Sequence, residues 1–226
     1  MESYNPLFEF NLFGHSLEFP VNIAIQWVVI ALVTILVIYL TKDLKKIPDK
    51  KQSIAETIVV TINNLVKDTM GEKFMSLVPY IGTVLFFLFF MNLTGLIGFD
   101  PPTKNYGVAL GMALISFLVI QGYTIKKAGL LHYIVGYTKP VSFITPLNVV
   151  ERAIVPLSLS LRLFGNMAAA TVIMGLMYTE LRSFGWGFQI GLPILGHLYF
   201  DLFDGALQMV IFTMLTMINI KIISEH

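Results

Sequence analysis

The chain has 226 residues, of which 56% are hydrophobic and only 13% charged, with a mean hydropathy of +0.76. Soluble domains carry about a quarter charged residues, so this composition describes a polytopic membrane protein and excludes the arithmetic of a single soluble core. The absence of cysteine excludes disulfides and thiolate metal sites, and a formal net charge of +1 without a basic, aromatic-interleaved patch excludes a nucleic-acid partner.

Residues 1–20 hold three Glu and no Lys or Arg. They lack the basic start of a cleaved signal peptide and are expected to be an outer N-terminal segment. Residues 21–40 are an apolar run long enough to cross a hydrocarbon core of about 30 Å. The densest basic cluster follows, from Lys42 to Lys51. The positive-inside rule puts this loop in the cytoplasm and the N-terminus outside.

In residues 54–70, Ile54, Ile58, Ile62, Leu65 and Thr69 recur at helical spacing among Glu56, Asn63, Asn64, Lys67 and Asp68. That pattern predicts an amphipathic helix on the cytoplasmic membrane surface or against other helices. Residues 79–99 form a span with one embedded polar group, Asn92, expected to make a helix–helix hydrogen bond. The Asp100–Asn105 turn, with Pro101 and Pro102, breaks it. Residues 107–125 return to Lys126 and Lys127, a second cytoplasmic signal. After a loop over 128–145 comes a helical run over 147–178, too long for a perpendicular crossing, which must tilt or extend beyond the bilayer. An outer loop with the interfacial Trp186 leads to the last run, 191–223, which ends at Lys221. The expected fold is an all-α polytopic membrane domain over 1–226. It has about five transmembrane helices and an amphipathic helix on the cytoplasmic side, with the C-terminus in the cytoplasm.

Two polar stripes stand out. In the first long run, Ser158, Arg162 and Asn166 share one helix face, with Gly165 and Ala169 close by. An arginine near mid-membrane costs about 2.5–3.5 kcal/mol on translocon scales, and it cannot shed its proton. Arg162 is therefore a fixed positive charge. In the last run, His197, Asp201, Asp204, Gln208 and Asn219 fall on one face at 100° per residue. Acids and an imidazole there can wet a path and relay protons, while the arginine repels cations. The residues by themselves leave two further readings open. Arg162 and Asp201 or Asp204 form a salt bridge that fixes helix register, or the chain is a stand-alone ion transporter or channel with an arginine gate. No phosphate-cradling loop, zinc-ligand His pair or Ser/His/Asp arrangement occurs. No cofactor, metal or catalytic residue is therefore expected, and the chain is not expected to catalyse a reaction by itself.

The string from Pro156 to Met167, Pro-Leu-Ser-Leu-Ser-Leu-Arg-Leu-Phe-Gly-Asn-Met, resembles the signature of the a subunits of bacterial-type F-type ATP synthases. Leu207-Gln208, followed by Ile211 to Thr216, resembles the last-helix motif of that family. Met91-Asn92-Leu93 with the Pro101-Pro102-Thr103 turn resembles its outer-loop region. The resemblance implies a stator subunit that moves protons or sodium ions across a bacterial inner (plasma) membrane. It implies as partners a ring of c subunits, peripheral-stalk b subunits, the rest of the complex and the lipid bilayer. By the resemblance, Arg162 faces the ring, displaces the ion from each ring carboxylate and separates two aqueous half-channels. Gln208 matches the glutamine that faces the arginine helix, and Asp201 falls at an ionisable access-channel position. The helices over 147–178 and 191–223 become a tilted, ring-facing hairpin. Two positions depart from the pattern: Thr171, nine after the arginine, and Asn105 in the outer turn stand where many members carry ionisable groups. Asp201 and Asp204 are expected to take their place.

Overall fold

The computed structural model describes residues 6–12, 15–42, 44–99, 101–129, 133, 145–182 and 186–225. It opens on two antiparallel strands, β1 (Pro6–Leu12) and β2 (His15–Pro20). Phe8 stands across from Phe19, Phe10 across from Leu17, and Glu9 across from Glu18. The hairpin lies in the N-terminal segment, ahead of the all-helical membrane domain, where the sequence reading assigned no element. Phe8, Phe10 and Leu12 alternate with Glu9 and Asn11, a period of two with β-prone aromatics, which favours strand over helix.

Helix α1 (Val21–Thr41) follows directly. Only Asn22 and Val29 are buried, whereas Trp27, Leu32 and Ile35 are more than 60% exposed. A helix that is apolar on every side and uncovered on most of them is suited to lipid. Helix α2 (Lys50–Met70) begins four residues before the amphipathic segment read from the sequence. The extra turn is stabilised from outside: Gln52 bonds both the N–H and the carbonyl of Lys45, at 2.8 and 2.9 Å. Val66 and Met70 are buried and Ile54, Val59 and Val60 are exposed, and the helix packs on its neighbours. Gly71, at φ +99°, ends it in a conformation that side-chain-bearing residues rarely adopt.

A 3-10 turn (Glu72–Leu77) leads into α3 (Val78–Leu93), which tightens to 3-10 over Thr94–Ile97. After a further 3-10 turn (Pro102–Lys104), α4 (Tyr106–Ala128) starts at Asn105, whose side chain accepts from Gly107 N at 2.8 Å. Asn105, read as the replacement for an acid, thus acts as a helix cap. Tyr80 donates to Ser116 at 2.9 Å and ties α3 to α4.

Helix α5 (Thr145–Leu181) runs 37 residues with Pro156 inside it. At 1.5 Å per residue that is about 55 Å, well beyond one perpendicular crossing. Helix α6 (Trp186–His197) continues through a π-helical stretch (Leu198–Asp204) into α7 (Gly205–Glu225). Among the described residues five helical segments are long and apolar enough to cross a membrane, the number expected, and α2 is not one of them.

Two apolar clusters hold the helices together. One, around Phe74, Ile81, Ile120 and Met217, joins α2, α3, α4 and α7. The other, around Leu88, Ala113, Leu163 and Phe212, joins α3, α4, α5 and α7. Beside the first cluster, Lys127 lies 4.5 Å over the Phe74 ring and Lys221 donates to Thr69 O at 3.2 Å. Both cations lie at the same end of the bundle, beside the end of α2.

Candidate functional site

The arginine helix is sorted by its own sequence. Pro156, Leu159, Ser160, Leu163, Met167, Ala170 and Met174 are buried, at steps of one, three and four residues. That seam turns α5 toward the other helices. Ser158, Arg162, Gly165 and Ala169 lie off the seam and are all exposed. The polar, small-residue stripe therefore points away from the bundle, as a face that another helix could approach closely. Among the described residues Arg162 makes no hydrogen bond and no ion pair. The internal register pair with Asp201 or Asp204 does not form.

Asn166, one turn beyond Arg162, is half-buried and reaches across to α7. Its Nδ2 donates to Gln208 Oε1 at 2.6 Å. Gln208 is only 1% exposed, and its Nε2 has no partner among the described residues. An unpaired buried donor costs about 1–3 kcal/mol, so the site holds one polar group in reserve.

The polar stripe of the last helix is not a single face. Through Leu198–Asp204 the turns are π-helical, and the Gly205 N–H reaches back to Phe200 O. Each π turn holds more residues than an α turn, so the 100° step fails across this stretch. Asp201 and Gln208 end up buried, while His197, Asp204 and Asn219 are half-buried. Asn92 of α3 supports the wide turn, donating to Gly205 O at 2.8 Å and accepting from Thr103 at 3.5 Å. The expected helix–helix bond of Asn92 is present. A Cβ on Gly205 would come within 2.9 Å of Asn92 Cβ, which is why the helices can meet so closely there.

Asp201 lies against Gly95, in the 3-10 turn that ends α3. A Cβ at Gly95 would stand 2.5 to 2.7 Å from the carboxylate atoms. Asp201 Oδ2 is 2.6 Å from His197 Nδ1, and His197 Nε2 is 3.0 Å from the Tyr178 hydroxyl of α5. The structure thus joins His197 to Asp201 and Asn166 to Gln208. It leaves Ser158 and Arg162 on the outer face and gives Asp204 no hydrogen bond among the described residues. Sequence reading missed Tyr178 and Gly95. Tyr178 meets His197 only across the interhelical turn, which no local period reports, and Gly95 is one of 17 glycines with nothing in the pattern to single it out.

Over residues 23–221 the chain matches the profile of the family described as the ATP synthase A chain. It is 34% identical over 204 residues to ATP synthase subunit a of Geobacter sulfurreducens, covering 88% of this chain and 85% of that one. Against subunit a of Bacillus subtilis the identity is 33% over 229 residues, covering 91% and 93%. Against the Propionigenium modestum protein named as sodium ion specific subunit a, it is 29% over 221 residues, covering 90% and 74%.

Proposed function

We propose, because the chain belongs to the ATP synthase A chain family, that Arg162 is the barrier between two aqueous half-channels that load and unload carboxylates on a ring of c subunits. The family is that of the stator a subunit of F-type ATP synthases, so the chain is a multi-pass bacterial membrane subunit of that complex.

One observation carries the reading: Arg162 is exposed on the outward face of α5 and has no counter-charge among the described residues. A permanent cation in a membrane helix needs a partner or water. Here the partner comes from outside the chain, as a carboxylate passing on the ring. At about 4 Å and an effective dielectric of about 20, the attraction is about 4 kcal/mol. That equals about three pKa units, enough to turn an ion-loaded carboxyl into an ionised one. Water must offset the remainder, or the ring would stick at the arginine.

Ions reach the ring from outside past His197, Asp201 and Asp204, and load near Gln208, which Asn166 orients. After nearly a full rotation they leave toward the cytoplasm along a path bounded by α2. The N-terminus lies outside, the C-terminus lies in the cytoplasm, and peripheral-stalk b subunits hold the chain against the torque.

The test is ATP synthesis by the whole complex in liposomes, wild type against Arg162→Ala, with proton and sodium gradients imposed separately. Arg162→Ala abolishes coupled synthesis and leaves a passive leak. Full coupled synthesis by the assembled variant would overturn the role of Arg162.

A further inference from the structure

Between α1, α2 and the start of α3 lies an open groove of about 540 Å³, apart from the arginine helix. Its walls are α1 from Ile30 to Ile38, α3 from Val78 to Phe87, and Val59 and Ile62 of α2. Among the described lining residues only Thr34 and Thr83 have polar side chains. Each gives its hydroxyl hydrogen to its own helix, Thr34 to Ile30 O at 2.7 Å and Thr83 to Pro79 O at 2.8 Å. The space has room for many waters at about 30 Å³ each, but a water needs about two to four polar partners. Neither threonine has a hydrogen left to give, so hydrocarbon suits the groove and water does not.

The length of the groove matches one leaflet. Ile30 to Ile38 and Val78 to Phe87 rise about 12 to 14 Å at about 1.5 Å per residue. That is about half of a hydrocarbon core of about 30 Å. Beyond Phe87 the space between α1, α3 and α4 is lined by the amides of Asn22, Gln26 and Asn105, so the apolar walls stop near mid-depth. A partner's transmembrane helix needs an apolar seam through the whole thickness. An acyl chain needs only this half.

The end of the groove at Ile38 and Val78 meets the basic stretch from Lys42 to Lys51. There five lysines stand against two aspartates, a surplus of three positive charges. Lys42, Lys45, Lys46, Lys50 and Lys51 are exposed and make no ion pair among the described residues. The acids beside them are engaged: Asp49 accepts from Lys50 N at 2.9 Å, and Glu56 accepts from Gln52 at 2.7 Å. Lys51 shares a face of α2 with Val59 and Ile62. Its Nζ lies 4.2 Å over the ring of Tyr39, the residue after Ile38, which puts a cation at the mouth of the groove. Among the lysines, Leu44 is 65% and Ile47 84% exposed, apolar side chains that a membrane interface covers.

We propose that the groove and this basic stretch bind one anionic phospholipid from the leaflet on that side. An acyl chain lies along α1 and α3, and the phosphate sits among Lys45, Lys46 and Lys51. Clusters of about four to eight Lys or Arg beside a membrane helix attract anionic headgroups. The apolar groove below the cluster turns that attraction into a site with a place for the chain. In α1 only Asn22 and Val29 are buried, so the bound chain also fills the gap on its inner side and holds it against α2 and α3. The site stands apart from the role of Arg162 and does not depend on it.

The experiment uses the whole complex in phosphatidylcholine nanodiscs. A trace of either phosphatidylglycerol or phosphatidylcholine is added, carrying a photoreactive diazirine midway along one acyl chain. After irradiation the labelled residues of the a subunit are mapped by mass spectrometry. Ile35, on α1 outside the groove and 63% exposed, reports ordinary bilayer contact. Each lysine near an anionic headgroup contributes about a fivefold factor, so the phosphatidylglycerol probe is expected to label the groove residues of α1 and α3 about tenfold or more above the phosphatidylcholine probe. At Ile35 the two probes label alike. Lys45→Gln, Lys46→Gln and Lys51→Gln together remove most of the preference. Thr34→Phe with Thr83→Phe fills the groove and abolishes its labelling in the assembled complex while Ile35 is still labelled. Equal labelling of the wild-type groove by the two probes would overturn the anionic site, a result that needs no variant to fold. A preference that survives loss of the three lysines would overturn the place given to the phosphate. A groove that neither probe labels would overturn the lipid, and capture of another protein chain by a photo-crosslinker at Thr34 would then name the occupant.

Discussion

Replacing Gly95 by alanine tests the packing of the buried acid most directly. The new Cβ would stand 2.5 Å from Asp201 Cγ and 2.6 and 2.7 Å from its two oxygens. Such contacts are well inside the usual van der Waals separation of about 3.5–4.0 Å. The methyl is fixed to the backbone, so the carboxylate must move. Overpacking of this kind costs about 1–3 kcal/mol. Moving the carboxylate also strains its 2.6 Å contact with His197, a charge-assisted bond worth about 1.5–3 kcal/mol. Because one movement relieves the clash at the expense of the bond, the two costs are alternatives, and the net loss expected is about 1–3 kcal/mol. The assay is a double-mutant cycle on the reconstituted complex, measuring thermal stability of the assembled a subunit and coupled ATP synthesis. Gly95→Ala should lower both. Asp201→Ala gives up the same bond and should lower stability by a similar amount, about 1.5–3 kcal/mol, and slow synthesis. The pair should be markedly more stable than the sum of the two single effects, since without the carboxylate there is nothing to overlap. Wild-type stability and synthesis in Gly95→Ala would refute the close packing of Gly95 on Asp201, and strict additivity would refute the claim that it acts through that residue.

Two further outcomes follow from the interhelical amides. Asn92→Leu removes the donor to Gly205 O and the acceptor for Thr103. Polar contacts between membrane helices average about 0.6 kcal/mol and reach about 1.7, so a drop toward the upper value in thermal stability of the detergent-solubilised complex is expected, and no drop would deny Asn92 a part in supporting the π turn. Asn166→Leu strips Gln208 of its only described partner and should slow coupled synthesis. Adding Gln208→Leu to it should slow synthesis little further, whereas two independent losses that multiply would show that Asn166 does not act through Gln208.

The sequence by itself determined the membrane class, the number of spans and the placement of charge. Those rest on local quantities: the length of an apolar run, the position of Lys126, Lys127 and Lys221, and the impossibility of neutralising Arg162. The polar stripe of Ser158 and Arg162 was legible too, but the residues left an internal pair with Asp201 or Asp204 open, and only the buried seam from Pro156 to Met174 turns the stripe outward. What the tertiary structure decided is where the polar groups of the last helix point and whom they meet. A constant 100° step places His197, Asp201, Asp204 and Gln208 together. The π-helical turns over Leu198–Asp204 undo that phase, and the Asn92 bond to Gly205 O that supports them comes from 113 residues away. The N-terminal hairpin was missed because its period-two pattern was masked by a composition that favours helices everywhere else. Tyr178 against His197 and Gly95 against Asp201 are meetings of separate elements. Their physical cause is the close approach of helices, which depends on every side chain in the gap and is written in no single stretch of the chain.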